Sequence, residues 1–582
     1  MEKRWMLRVH RLDKNISRET GIDDITQSIL ANRGITSKSE IVDFLNPSMD
    51  KLHDPVSMKD VETGTDIICD SIAREDKIAV YGDYDADGVT STYILYNALL
   101  RCGADVKYHI PDRIKEGYGM NLERIEKLNS EGISTIITCD NGISAFKEIA
   151  RARELNMRVI VTDHHDIPSD IPPADAVIDP KQEECPYPFK MLCGAGIAFK
   201  FVQVLYRKMG VDEGEALKFI EYAAIGTICD VVDLVGENRI IAKHGIHALN
   251  NTQNMGIRAL LKENSLEPGN ITAYHVGFVL GPCINAAGRL ESAETALKLL
   301  MAENTAEAAF LAGRLRELNS MRQDMTTKSL GEIVDMVENS ELKHDRVVVA
   351  YKGDVHESIA GIVAGKLKEK YNLPSIVITK GEILSKGSGR SIEGYDMFVE
   401  LSRCRDLMEN FGGHKMAAGM SIKEDNIDKL RKRLNDSCSL TDEDVIPKII
   451  IDRRLPLESI TSGIIKDIKR LEPFGVGNPS PVFAEKNVEV FKVFFMGKDK
   501  NTVKLFCRLN NSLNKMDALI FNGGDRFRHV VEKSWGTTGL NRILSNDFKS
   551  MYIDIVFFPV FNEYNNNRTI QIIVKDFRIS TN

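Results

Sequence analysis

Three aspartates recur at every second position in Val80-Tyr81-Gly82-Asp83-Tyr84-Asp85-Ala86-Asp87-Gly88, directly after the apolar residues Ile78, Ala79 and Val80. Carboxylates delivered at a strand end are hard oxygen ligands of the kind divalent cations take. Two further stretches follow apolar runs in the same way: Thr138-Cys139-Asp140-Asn141-Gly142 and Thr162-Asp163-His164-His165. A later one, Gly226-Thr227-Ile228-Cys229-Asp230, ends another apolar run in an acid. Oxygen ligands supplemented by imidazole suit Mn²⁺ or Mg²⁺ better than a thiolate-rich site would. Asp85 and Asp87, read as one side of an extended segment, reach a common pair of ions, with Asp140 arriving from a neighbouring strand. His164 or His165 adds nitrogen, and Asp163 either ligates or orients a histidine. Two ions about 3.5–4 Å apart bridge and activate a water while stabilising phosphoryl charge, so the expected substrate is a phosphate ester and no covalent nucleophile is needed. A lone Asp-x-Asp is more often a loop or cap. It is the repetition at successive strand ends that carries the argument.

Other residues point to phosphate recognition with less force. Gly387-Ser388-Gly389-Arg390-Ser391 offers backbone donors, hydroxyls and a guanidinium, although a structural turn explains the glycines nearly as well. Gly412-Gly413-His414 presents one imidazole on a backbone that permits close approach, or is an ordinary tight turn. Arg113 and Lys115, before Gly117-Tyr118-Gly119, and Arg289, within Asn285-Ala286-Ala287-Gly288-Arg289, are further candidates for a phosphate surface, against a solvated-face alternative. Cys139 and Cys193 read as core thiols.

The elements that must position these groups follow from periodicity. Ile78–Tyr81, Asp105–Ile110, Thr135–Thr138 and Arg158–Thr162 read as strands separated by helical stretches, which argues for a parallel α/β sheet. In such sheets ligands gather beyond the carboxyl ends of the strands, where the acidic stretches fall. Residues 1–70 read as a mainly helical segment, 71–235 as the catalytic α/β domain and 236–340 as a helical connection. Within that connection Glu291–Val337 is expected to form several helices. A second α/β domain is expected over 341–446 and an all-β domain of barrel type over 447–582, with the excursion Trp535–Lys549 between later strands.

The 582 residues exceed one hydrophobic core. A composition 43% hydrophobic and 27% charged is that of a folded globular protein rather than a disordered one. A net charge of −8 excludes a global basic field, but not a local basic groove, and acidic metal ligands themselves lower the sum. Ten scattered cysteines without a Cys-x-x-Cys pair fit reduced thiols better than a disulfide framework. The stretch Met1–Leu7 lacks the apolar core of a secretory leader, and no apolar run spans a bilayer. The expected location is the cytoplasm.

Taken together, the motifs closely resemble the DHH phosphoesterase superfamily, and their order resembles its RecJ branch, bacterial exonucleases specific for single-stranded DNA. The resemblance runs through Asp83–Gly88, Pro111-Asp112-Arg113, Gly117–Gly119, Cys139–Gly142, Asp163-His164-His165, Gly226–Asp230, Asn285–Leu290, Gly387–Ser391 and Gly412–His414. It continues into Leu471-Glu472-Pro473-Phe474-Gly475, Asn478 and Pro479. It implies a DHH domain, a DHH-associated α/β domain and a C-terminal OB-like β-barrel. It implies two Mn²⁺ or Mg²⁺ ions on Asp85, Asp87, Asp140, His164, His165 and Asp230, with Asp83 and Asp163 in support. Arg113, Asn285, Arg289, Ser388, Arg390 and His414 take substrate positions. The implied reaction is 5′-to-3′ degradation to 5′ mononucleotides in DNA repair and recombination, by a monomer, in a setting that admits a helicase and a single-stranded-DNA-binding protein as partners. Base stacking by Phe474 and Phe483 is weighed against core packing. The chain departs from the pattern at Tyr81, where relatives often have histidine, at Cys283, where many have arginine, and at His356-Glu357-Ser358. Two other functions remain: a DHH hydrolase of short RNA or cyclic dinucleotides, and a non-catalytic nucleic-acid-binding accessory protein.

Overall fold

A computed structural model describes residues 3–9, 14–117, 119–509, 515–564 and 567–580. Met1, Glu2 and Tyr118, which the leader and glycine-loop readings include, lie outside them. The chain forms two compact units. One comprises Leu52–Val232 with Glu237–Pro447; the other comprises Lys3–Lys51, Asp233–Gly236 and the chain from Lys448 on. The first strand, β1 (Arg4–Leu7), belongs to the second unit.

The first unit begins with the helix Val61–Ala73 and a five-stranded parallel sheet. Its strands are β2 (Lys77–Tyr81), β3 (Asp105–His109), β4 (Ile133–Thr138), β5 (Arg158–Thr162) and β6 (Ala176–Ile178), in the order β3-β2-β4-β5-β6. Buried aliphatics on both faces, such as Ile78, Val80, Ile136, Ile137, Val159 and Ile160, explain why these segments read as continuous apolar runs. The register aligns Tyr81 with His109 and with Thr138, and Thr162 with Ile178. Their carboxyl ends are therefore level, and the residues that follow gather at one edge.

Two expectations change here. The helix after β2 begins at Ala86, so Asp85 is its N-cap and Asp87 lies in its first turn rather than in an extended segment. The segment Glu291–Val337 holds the short helix Glu294–Met301 and then a single helix, Thr305–Glu338, about 50 Å long, instead of several. Asn304 caps the long helix by accepting the Glu307 N–H at 2.9 Å. Good helix formers carry it through Gly313 and Gly331 without a proline.

The unit's second sheet has the order β10-β11-β9-β8-β7, with β7 (Val348–Tyr351), β8 (Ser375–Thr379), β9 (Ser385–Arg390), β10 (Met408–His414) and β11 (Ala417–Ile422). The glycine-rich segments, for which a turn is the alternative reading, are thus strands. Glycine is needed at Gly387 for space: a Cβ there would stand 2.7 Å from Met420 Cγ. With the glycines turned to the packed face, Lys386, Ser388 and Arg390 alternate onto the other.

In the second unit β14 (Phe483–Met496), β15 (Thr502–Arg508), β16 (Lys515–Ile520), β17 (Met551–Tyr564) and β18 (Asn567–Ile579) form a barrel, following β12 (Lys448–Ile451) and β13 (Arg453–Arg454). The strand order β13-β14-β15-β16-β18-β17 is closed by pairing of β14 with β17, which gives an OB-like barrel. It is not all β, since the helix Gly524–Leu544, kinked at Gly536, connects β16 to β17 and takes up Trp535–Leu544 of the expected excursion Trp535–Lys549. The early helices do not stand apart. Ile29, Leu30 and Phe44 share a core with Phe483, Phe557 and Phe577, β1 pairs with β12, and Asn32 Nδ2 donates to Asp452 Oδ1 at 2.9 Å. The division therefore differs from the expected segment 1–70: its first part completes the barrel's core, and Val61–Ala73 packs with the first sheet.

All ten cysteines are free thiols. Among the described residues no helix is long and apolar enough to cross a membrane.

Candidate metal centre and adjoining cavity

The level strand ends bring the acidic stretches together. Asp83 follows β2, Asp140 follows β4, Asp163 follows β5, and Asp230 caps the helix Ile220–Cys229. Three overlapping groups have potential ligand atoms within 4.8 Å of one another: Asp83 with Asp85 and Asp140, Asp140 with His164 and His165, and Asp87 with His164 and Asp230. Sharing of Asp140 and His164 makes these groups one continuous cluster. His164 Nε2 lies 3.0 Å from Asp140 Oδ1 and 3.7 Å from both Asp87 Oδ2 and Asp230 Oδ2.

Each side chain is held by its surroundings. Asp85 Oδ1 accepts the Asp87 and Gly88 N–H groups at 2.9 and 3.1 Å. Asp87 is wholly enclosed, and its two oxygens accept the N–H groups of Gly194 at 2.6 Å and Ala195 at 2.9 Å, at the start of the helix Gly194–Met209. The positive end of that helix favours the carboxylate. Gly226 must lack a side chain, because a Cβ would lie 2.3 Å from Asp87 Oδ1. Asp140 has a left-handed backbone, φ 61°, a strained conformation characteristic of functional sites. Asp163 accepts the Ile143 N–H at 2.9 Å on one oxygen; the other faces the His164 N–H at 2.7 Å and His165 Nδ1 at 2.7 Å.

The electrostatics call for a cation. Burial, and then Asp85, raise the pKa of Asp83 and lift that of Asp87 to about 6. Burial, then Asp87 and Asp85, push Asp140 well up and bring Asp230 to about 8. Burial is also the main cause that lowers His164, to about 3, which keeps its ring neutral and available as a ligand. Asp83 Oδ1 is buried without a protein partner. Four crowded carboxylates, a neutral imidazole and an orphaned oxygen fit hard divalent ions such as Mn²⁺ or Mg²⁺.

Beside the cluster lies a cavity of about 700 Å³ lined by Tyr84, Arg113, Arg289, Ser388 and Arg390, with Lys386 and Phe411. Tyr84, between Asp83 and Asp85 in sequence, joins the two features. The Arg113 guanidinium stands over the Tyr84 ring, 4.9 Å from its centroid. Arg289 Nη1 donates to the Ser358 carbonyl at 2.7 Å, and Arg390 Nη1 to the Gly389 carbonyl at 2.8 Å. Burial lowers the Arg289 pKa to about 10, helped by Arg113 and Arg322. Clustered, partly desolvated arginines of this kind suit a phosphate.

Not every residue expected at the substrate lines this cavity. Asn285 Oδ1 accepts the Ala86 N–H at 2.7 Å, so its observed role is to cap the helix that carries Asp87. His414 is exposed and accepts the Met416 N–H at 3.3 Å on Nδ1; it does not line the cavity. Phe483 is fully buried in the barrel core, which removes it as a stacking surface. Phe474 is edge-on to Phe558. Tyr81 is buried with its ring edge-on to His109. Sequence reasoning missed Lys386, whose signal is its two-residue spacing from Ser388 and Arg390. It also missed Asp179, a further acid directly after an apolar strand, fully buried with Oδ2 lacking a partner.

These features define a DHH phosphoesterase. Residues 77–227 match the DHH family, N-terminal domain, residues 344–440 the DHHA1 domain, and residues 451–576 the RecJ OB domain. The chain belongs to the RecJ family. It is 38% identical over 583 residues to the single-stranded-DNA-specific exonuclease RecJ of Bacillus subtilis, covering 99% of this chain and 71% of that one. It is 30% identical to the corresponding Haemophilus influenzae protein, covering 91% and 92% of the two chains. The crystal structure of Thermus thermophilus RecJ in complex with Mn²⁺ superposes with a TM-score of 0.82 at 26% identity, covering 100% of this chain and 80% of that one.

Proposed function

We propose that this protein is a metal-dependent exonuclease that removes 5′ mononucleotides from single-stranded DNA in the 5′-to-3′ direction. The observation that carries the proposal is the arginine-lined cavity directly beside the acidic cluster, joined to it by Tyr84. A cavity that holds a terminal phosphate next to a hydrolytic centre cuts one nucleotide from an end. The family supplies the preference for single strands and the setting in repair and recombination.

In this reading Asp85, Asp87, Asp140, His164, His165 and Asp230 hold two ions, with Asp83 and Asp163 in support. When bound, divalent ions supply Lewis acidity, which lowers the pKa of a water and stabilises charge on the phosphoryl oxygens. The protein does the rest by placement. The Gly194 and Ala195 N–H groups keep Asp87 aimed into the cluster. Asp163 fixes the His165 ring through Nδ1, with a ring nitrogen within 4.8 Å of the Asp140 and His164 ligand atoms. Arg113, Arg289, Ser388 and Arg390 hold the terminal phosphate and so orient the next phosphodiester.

The second unit offers a surface for the rest of the strand. Lys492 and Phe494 on β14, Lys504, Phe506 and Arg508 on β15 and Lys515 on β16 share its outer face. Phe494 and Phe506 are 5.8 Å apart, and Lys504 and Lys515 stand 5.2 and 4.3 Å from the Phe506 ring. Phe494 is exposed and Phe506 half-buried, and Asp517 opposite Phe506 pairs with Lys504 at 2.7 Å; rings among cations are how single strands are held without regard to sequence. A monomer acting in the cytoplasm, with a helicase and a single-stranded-DNA-binding protein as partners, completes the proposal. The free thiols support that location.

Purified protein with Mn²⁺ is expected to shorten 3′-labelled single-stranded DNA from its 5′ end, and to leave matched RNA and blunt duplex intact, with no activity in Asp140→Ala. Preferential cleavage of RNA or of a dinucleotide would move the protein to another DHH branch. Binding without turnover would make it an accessory protein.

A further inference from the structure

Of the three arginines lining the cavity, Arg113 is carried by a turn instead of a regular element. Its setting depends on whatever fixes residues 112–117, and that anchor is Glu116. The Glu116 carboxylate accepts two hydrogen bonds from Arg124, from Nε at 3.2 Å and Nη2 at 3.1 Å. It also faces His109 Nε2 at 3.1 Å and accepts the Asp112 N–H at 3.4 Å. Asp112 closes the turn: its Oδ1 accepts the Ile114 and Lys115 N–H groups at 3.0 Å each, and its carbonyl accepts the Glu116 N–H at 2.8 Å.

Both anchors of Glu116 are rigid. His109 ends β3 and packs edge-on against Tyr81 of the neighbouring β2, with ring centroids 4.9 Å apart. Arg124 lies on the helix Leu122–Ser130. The side chains of His109, Glu116 and Arg124 are only 10%, 17% and 23% exposed, so this is no loose surface pair. One carboxylate thus ties the Arg113 turn to the sheet on one side and to a helix on the other.

We infer that Glu116 is a positioning residue that sets Arg113 in the cavity, and so determines how strongly the enzyme prefers a strand bearing a 5′-terminal phosphate. The inference rests on the reading of that cavity as the terminal-phosphate site. Glu116 itself does not line the cavity; its effect is transmitted through the turn to one guanidinium.

The test is a mutant cycle on the full chain, with single-stranded DNA carrying either a 5′-phosphate or a 5′-hydroxyl. Glu116→Gln is expected to raise KM for the phosphorylated strand about tenfold, the loss of one charged phosphate contact. Its KM for the hydroxyl strand and its kcat should stay within about twofold. In an Arg113→Ala background, Glu116→Gln should have no further effect, which a merely structural role would not predict. Arg124→Lys, which keeps the ion pair but loses the two-pronged geometry, should give the same pattern more weakly and serves if Glu116→Gln fails to fold. Equal KM increases on both strands, or an effect that persists without Arg113, overturns the inference alone. If Arg113→Ala leaves phosphate preference intact, the reading of the cavity falls and the inference falls with it.

Discussion

Asp163 Oδ1 lies 2.7 Å from His165 Nδ1, which fixes the orientation of the ring beside Asp140 and His164. Burial alone would depress this imidazole's pKa; Asp163 more than offsets it and lifts the pKa to about 9. Carboxylates that orient ligating histidines also raise their basicity, and their loss typically costs about 10- to 100-fold in metal affinity or activity. Asp163→Asn is therefore expected to weaken Mn²⁺ activation by about that factor; its single amide oxygen keeps the His164 contact or the Ile143 contact but not both, so the titration is run where a thermal melt shows the variant still folded. A Mn²⁺ titration of activity with unchanged midpoint would refute this role.

The acidic cluster predicts a pH-dependent response to metal. In the metal-free fold Asp83, Asp87, Asp140 and Asp230 all titrate above ordinary carboxylates, chiefly through burial and then through one another. A native state that retains protons the unfolded chain releases loses stability as pH rises. That loss runs from about pH 4, where unfolded carboxylates titrate, to about 8, where Asp230 does. Metal binding displaces those protons and removes the repulsion. The rise in Tm produced by Mn²⁺ should thus be larger at pH 8 than at pH 6. Scanning fluorimetry with and without chelator measures it, and an equal or smaller rise at the higher pH would contradict the electrostatic account.

The same repulsion makes a single substitution informative. Asp140 occupies a left-handed backbone conformation, which asparagine tolerates well. Its Oδ1 faces His164 Nε2 at 3.0 Å, a contact an amide oxygen keeps. Asp140→Asn should consequently fold, lose Mn²⁺-dependent cleavage, and melt a few degrees higher than the parent in chelator, corresponding to about 1–2 kcal/mol. A lower Tm without metal would mean that the charge at Asp140 stabilises the fold rather than straining it.

What could be read in advance divides along physical lines. The strand-end acids were legible because buried parallel strands leave continuous apolar runs, and a polar residue at the end of such a run stands out. The helix start at Ala86 was not, because Asp85 acts both as an acid of the cluster and as an N-cap, and spacing alone does not separate the two roles. Ser388 and Arg390 are legible through their glycines, but spacing alone does not separate a phosphate-holding segment from a turn. Only pairing with β8 and β11 reveals a strand with Lys386 on the same face. Asn285 illustrates the converse, a motif residue whose observed bond is to the Ala86 backbone. The packing of Ile29, Leu30 and Phe44 with the barrel joins residues more than four hundred positions apart, and no local pattern encodes such a contact.

Phe506 tests the barrel face. It lies between Lys504 and Arg508 on β15, all three turned outward, with Val503, Leu505 and Cys507 buried beneath. Its ring is half-buried, packed against Phe491 and Phe494 and outside the barrel's core cluster. Stacking of one base on an aromatic ring contributes about 1–3 kcal/mol. Phe506→Ala should then raise KM for single-stranded DNA about tenfold. The kcat should not change, because the hydrolytic residues lie in the other unit. Lys492→Ala should act differently, flattening the dependence of log KM on log salt, since a phosphate contact releases counterions and a stacked base does not. A fall in Tm for Phe506→Ala without a rise in KM would show that the ring supports the fold and not the substrate.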